Sequence, residues 1–171
     1  MTALRQTVIE IRDCHKNEVG LLGRIEEQAD TIFPAGLLPE QLENYPLVYL
    51  ERARKFGSLL LACHQQDIVG FAVAEVYLDT YHLFLLAVLP QWSRQGIGGA
   101  LLGRVSDDAK LKGLAKITLT TFSHIEWNAP YYLKKGFEII PNEDASAQLQ
   151  EILKSETQAG FPNRVAMHRV L

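Results

Sequence analysis

Apolar residues change their spacing several times along the chain, and each change marks an element. From Thr7 to Arg12 they alternate with polar ones, which predicts a first strand. Asp13 then offers an N-cap for an acidic, amphipathic helical stretch reaching about Phe33, where Pro34, Gly36 and Pro39 break it. A second helical stretch, Leu38 to Lys55, contains Pro46, which predicts a kink or two pieces, and Gly57 ends it. Ser58 to His64 and Ile68 to Leu78 flank the polar turn Gln65-Gln66-Asp67 and read as an antiparallel hairpin. His82 to Leu89 is nearly continuous in apolar residues, the pattern of a central strand covered on both faces.

After Pro90 the period lengthens. Ile97, Leu101, Val105 and Ala109 recur every fourth residue and mark a helix that Gly113 terminates. Lys116 to Phe122 reads as a strand, Asn128 to Lys135 as a short helix ended by Gly136, and Phe137 to Ile140 as a strand again. A polar stretch with room for one more helix precedes a last alternating strand, Arg164 to Leu171.

With 171 residues, 47% hydrophobic and 22% charged, the chain has the size and apolar content of one α/β or α+β domain over residues 1–171. A net charge of -3 argues against nucleic acid as a partner. The stretch Met1 to Arg12 lacks the apolar core of a signal peptide, and no run of eighteen apolar residues suggests a membrane span, so a cytoplasmic protein is expected. Cys14 and Cys63 lie far apart without metal-ligand spacing and read as ordinary thiols; no metal is expected.

The segment Ser93-Arg94-Gln95-Gly96-Ile97-Gly98-Gly99-Ala100 joins the apolar strand to the following helix. Glycines let backbone approach a ligand, and the N–H groups of a helix N-terminus converge on an anion, a pyrophosphate above all, to which Arg94 adds a charge. By itself the spacing fits an ordinary tight turn equally well, and it matches neither a P-loop nor the full G-x-G-x-x-G of a dinucleotide fold.

Taken with its flanks, Leu86 to Leu102 resembles the segment of the GNAT superfamily of acyl-CoA-dependent N-acyltransferases that carries Q/R-x-x-G-x-G/A after the fourth strand. Ser93 stands where the family has Gln or Arg. Downstream, Asn128-Ala129-Pro130-Tyr131-Tyr132-Leu133-Lys134-Lys135-Gly136-Phe137 resembles the family's Asn-…-Tyr-x-x-x-Gly-Phe segment. Two such segments in order are more specific than either alone.

The resemblance implies an α+β fold with a central mixed, mostly antiparallel sheet of six or seven strands flanked by helices. It implies acetyl-CoA as co-substrate, held by Arg94, Gln95, Gly96, Ile97, Gly98, Gly99 and Ala100 at its pyrophosphate. The main chain of Leu86, Ala87 and Val88 would hold its pantetheine and thioester, together with Asn128 and Tyr132. Tyr132 would protonate the departing thiolate. His82, six residues before Val88 and expected on one face with Phe84, Leu86 and Val88, would serve as base or hold a water, with Glu75, His124 and Glu126 as rivals. His124 and Glu126 make no metal site without a third ligand. Glu26-Glu27 and Lys134-Lys135 read as solvated helix faces.

Acetyl transfer to an amine follows by direct attack, the acceptor being a small metabolite, polyamine, aminoglycoside, peptide or protein amine. Family members commonly form homodimers. The alternative is a non-catalytic acyl-CoA-binding regulatory module that keeps fold and loop.

Overall fold

The computed structural model describes residues 8–171; Thr7, the expected start of the first strand, lies outside them. Seven strands form one sheet in the order β1-β2-β3-β4-β5-β7-β6. They are β1 (Ile9–Asp13), β2 (Ser58–His64), β3 (Asp67–Tyr77), β4 (Thr80–Val88), β5 (Lys116–Phe122), β6 (Glu138–Ile140) and β7 (Arg164–Val170). All pairings are antiparallel except β4 with β5. The sheet is therefore mixed and mostly antiparallel, as expected.

Five α-helices flank it: α1 (Leu22–Asp30), α2 (Leu47–Phe56), α3 (Ile97–Leu111), α4 (Ala129–Lys134) and α5 (Ala147–Gln158). The fourfold spacing of α3 puts Ile97, Leu101, Val105 and Ala109 on one stripe, which packs with Tyr132 and Phe137 over Leu60, Leu83 and Leu119. On the opposite face Leu22 and Ala29 of α1 and Leu50 and Ala53 of α2 cover Leu61, Phe71 and Ala87. The polar stretch before β7 does hold a helix, α5, capped by the Ser146 hydroxyl at Leu149 N.

Two helix starts differ from the sequence reading. Asp13 caps nothing: Cys14 N bonds Leu59 O and extends the strand ladder, and Asp13 instead lies 3.3 Å from Arg104. The Glu18 carboxylate takes the Arg12 guanidinium and His15 N–H and folds the next residues into a turn, so α1 begins only at Leu22 after a 3-10 turn at Val19–Leu21. Pro46 does not kink the second helix but starts it, sitting extended as its N-cap, while the residues from Leu38 to Tyr45 are not helical. A residue before proline is driven out of the helical region, which accounts for the break at Tyr45. Gly57 closes α2 where a Cβ would lie 2.3 Å from Ala74 O.

The sheet has one discontinuity at its centre. β4 and β5 pair only over Tyr81–Leu83 and Ile117–Leu119, although β4 runs on to Val88 and β5 to Phe122. Just there the β3–β4 register slips: Val73 faces Leu85 and Ala74 faces Leu83, leaving Phe84 as an extra residue. Such a bulge bends a strand and increases its twist. The two strands consequently part, and the β5-facing edge of β4 has no strand partner from Phe84 to Val88.

Candidate active site

The bulge also decides which way each β4 side chain points. Leu83, Leu86 and Val88 belong with the α3 cluster, whereas Phe84, Leu85 and Ala87 belong with the α1–α2 cluster. His82 stands 4.5 Å from the Phe84 ring and therefore shares a face with Phe84, but not with Leu86 and Val88 as simple alternation predicted.

Above the parted strands, Pro90–Trp92 makes a 3-10 turn, and the chain enters α3 through two left-handed residues, Arg94 (φ 61°) and Gly96 (φ 83°). Gly96 is the N-cap of α3. Its carbonyl accepts Ala100 N at 3.0 Å, the first such bond of the helix, so the N–H groups of Ile97, Gly98 and Gly99 have no protein acceptor among the described residues. Ser93 directs its hydroxyl to Leu89 O at 3.4 Å, and Gln95 bonds Gln91 O at 3.2 Å. Arg94 is exposed and lies 3.8 Å from Glu126, an exposed pair that contributes little and leaves the guanidinium available.

α4 lies alongside this turn. A Cβ at Gly98 would sit 3.3 Å from the Tyr131 hydroxyl and 3.8 Å from Leu86 Cδ2; one at Gly99 would sit 3.2 Å from Lys135 Nζ. Leu86, Gly98 and Gly99 are thus close neighbours, with Asn128 at the start of α4. Asn128 occupies the N-cap position, but its side chain makes no capping bond. The Tyr132 ring is buried, 5.3 Å from Tyr131 and 5.5 Å from Phe137. Burial raises its phenol well above the ordinary value, so it is protonated throughout the working range. The Tyr131 hydroxyl is enclosed without a hydrogen-bond partner. Sequence reasoning gave Tyr131 no role and took Lys135 for a solvated face. The spacing of four between them, opposite adjacent glycines, was the available signal.

On the other face of β4, His82 is 1% exposed, with Nδ1 2.9 Å from the Thr118 hydroxyl, which lies 3.1 Å from that of Thr80. Burial pushes its imidazole down to about 4, so it is neutral at pH 7 and a weaker base than a solvated histidine. Thr80 and Thr118 line a recess of about 400 Å³ with Tyr77, Glu138, Asp144 and His168, away from the glycine turn. Among the rivals, Glu75 is bound by Arg52 at 2.7 and 3.1 Å, and His124 and Glu126 are exposed. Both cysteines are buried, free and raised by burial, Cys14 to about 12. Among the described residues no group of three or more His, Cys, Asp or Glu is arranged to hold a metal ion, and no helix is long and apolar enough to cross a membrane.

Two α1 acids were missed as more than surface. Glu26, 8% exposed, accepts Tyr45 N at 2.9 Å, and burial lifts it to about 7; Asp30, one turn on, is lifted to about 6 by the same cause. A carboxyl whose folded value exceeds its unfolded one leaves the native state binding more protons, so stability falls as pH rises from about 4.5 to about 7. Glu26→Gln keeps an acceptor for Tyr45 N and should raise stability at pH 8 by on the order of 2 kcal/mol. Urea midpoints at pH 5 and pH 8 check this; an undiminished fall between them would clear Glu26 of the effect.

Residues 55–139 match the family model for an acetyltransferase (GNAT) domain, a span from the end of α2 to β6 that includes the parted strands, the glycine turn and α4. The chain belongs to the GNAT family. The ribosomal protein bS18-alanine N-acetyltransferase of Escherichia coli K12 is 40% identical over 52 residues, 30% of this chain and 35% of that protein. The alignment thus spans about a third (35%) of the length of the curated relatives it matches. Among solved structures, N-acetylglutamate synthase from Neisseria gonorrhoeae, complexed with coenzyme A and N-acetyl-glutamate, superposes with a TM-score of 0.73 at 20% identity, over 98% of this chain and 36% of that one. The Escherichia coli ribosomal-protein-S18-alanine N-acetyltransferase gives 0.65 at 20% identity, over 95% of this chain and 94% of that one. At that identity these superpositions show the GNAT fold, which agrees with the seven-stranded sheet.

Proposed function

We propose that this GNAT chain transfers the acetyl group of acetyl-CoA to an amine. One observation carries the reading: the β4 edge left bare from Phe84 to Val88 leads to the open α3 N-terminus at one end and passes the α4 tyrosines on the way. The residues present fit such a ligand. Backbone N–H groups of Ile97, Gly98 and Gly99 suit a pyrophosphate, and bare β4 amides suit the amides of a pantetheine arm.

Acetyl-CoA, when bound, supplies an acyl group already activated as a thioester. The protein's share is then to bind, orient and move protons. Of the main-chain N–H groups from Leu86 to Val88, those not laddered to β3 face the parted edge and act as fixed donors to the carbonyl oxygen as it gains charge. Asn128 holds the arm by its side-chain amide. Tyr132, protonated in its apolar setting, gives its proton to the sulfur as the carbon–sulfur bond breaks. The amine approaches from the opposite face of β4, past Phe84, Tyr45 and the acids Glu26 and Asp30, whose carboxylates suit an ammonium. His82 takes the amine's proton by way of a water.

The two relatives are named for acetylating an alanine and for making N-acetylglutamate, which puts α-amines of amino acids and peptides first among acceptors. Polyamines, aminoglycosides and lysine side chains follow. The deciding experiment measures CoA release from acetyl-CoA across that panel. Binding of acetyl-CoA without release to any amine would overturn the enzyme in favour of the regulatory module.

If His82 is the base, kcat at saturating amine should fall only as pH drops towards about 4, where the imidazole protonates. His82→Ala should lower kcat by about 10²-fold and abolish that limb. A limb persisting unchanged in the variant places the proton acceptor elsewhere.

A further inference from the structure

We propose that Tyr131 and Lys135, one turn apart on α4, form the second wall of the phosphate cradle, the phenol donating to a pyrophosphate oxygen and the ammonium neutralising its charge. This rests on acetyl-CoA as the co-substrate.

Among the described residues, the Tyr131 hydroxyl is the one enclosed side-chain oxygen or nitrogen with no hydrogen-bond partner. A buried hydroxyl without a partner is destabilising, and folded proteins rarely keep one without a reason. Its neighbours explain the deficit: Gly98 offers no side chain, and Leu86 presents a methyl group. The nearby α3 N–H groups are themselves donors. No acceptor among the described residues reaches the phenol, and a ligand oxygen would supply one. Burial also raises the phenol above its ordinary value, which keeps it a donor.

Lys135 adds the charge. Its Nζ lies where it would stand 3.2 Å from a Cβ at Gly99, and 5.6 Å from the Tyr131 ring centre. No carboxylate pairs with it among the described residues. A hydroxyl donor, an ammonium and the helix N-terminus converge on one turn, and an oxyanion with several oxygens satisfies all three. The residues of the glycine turn approach that anion from α3; Tyr131 and Lys135 approach it from α4. Glycine at both Gly98 and Gly99 lets the Tyr131 hydroxyl and Lys135 Nζ come up against the turn.

The test uses the intact chain and calorimetric titration with CoA, with dephospho-CoA, which keeps the pyrophosphate but lacks the ribose phosphate, and with pantetheine, which has neither. Tyr131→Phe and Lys135→Gln should each weaken CoA and dephospho-CoA about tenfold, with pantetheine unaffected, and Lys135→Arg should restore most of the loss. Unliganded Tyr131→Phe should melt no lower than the wild type, because it deletes an unpaired hydroxyl. A lowered melting temperature with unchanged CoA affinity would make Tyr131 a packing residue and overturn its part. Loss for CoA but not for dephospho-CoA in Lys135→Gln would move that lysine to the ribose phosphate and overturn its part. A wild-type chain that binds neither nucleotide would instead sink the functional reading on which the cradle depends.

Discussion

Replacing Tyr132 with phenylalanine should lower kcat by about 10²- to 10³-fold while changing acetyl-CoA affinity less than threefold. The substitution removes one oxygen from a ring that is 8% exposed and held between Tyr131 and Phe137, so the packing that places the residue survives. What disappears is a proton held on oxygen by burial, which the proposed mechanism delivers to the departing thiolate. In the proposed mode of binding, affinity rests on the loop amides and the β4 edge, which the variant leaves alone. Single-turnover rates with a true amine substrate, measured beside calorimetric affinity, separate the two effects. An unchanged single-turnover rate would take Tyr132 out of the chemistry.

A second large effect concerns stability. At Gly57 an added Cβ would stand 2.3 Å from Ala74 O, 2.8 Å from Glu75 Cγ and 3.2 Å from Glu75 Cα. Two of these atoms are backbone of β3, an interior strand paired on both sides, so neither can swing away. Gly57→Ala should therefore cost about 3 kcal/mol, at the upper end for overpacking, and lower the melting temperature by about 6–12 °C. The Arg52–Glu75 pair, at 2.7 Å, is strained by the same displacement. A melting curve superimposable on the wild type would mean that α2 can shift off the sheet freely.

Gly57 shows what the sequence does and does not express. Its role as a helix stop was legible from the apolar run it interrupts, but its closeness to β3 was not, because that contact joins segments distant in the chain. β5 was readable from end to end, since Lys116 to Phe122 follows the turn at Gly113 and stops at the polar Ser123-His124. The bulge at Phe84 left no trace: every position from Leu83 to Val88 is apolar, both faces being partly covered, so alternation carries no information about which side chain points where. His82 was misassigned to the face of Leu86 and Val88 for that reason alone. Its depth was invisible for a related one, because burial depends on Tyr77, Phe84 and Thr118 arriving from three strands. Within the site, the loop and α4 were legible as motifs, whereas the meeting of Tyr131 with Gly98 depends on how two helices lie together.

The parting of β4 from β5 also bears on how the protein behaves in the tube. A strand edge without a partner is ordinarily blunted by charge, proline or a covering loop, and this one, in the middle of the sheet, carries Phe84 to Val88 with neither charge nor proline. The unliganded chain thus holds a ready template for a foreign strand, and its two half-sheets meet at only three residue pairs, Tyr81 to Leu83 with Ile117 to Leu119. A cofactor lying in that gap acts as a splint: it joins the halves, occupies the template and, by mass action, favours the folded form. Purification and concentration with CoA present should therefore keep this chain from its neighbours.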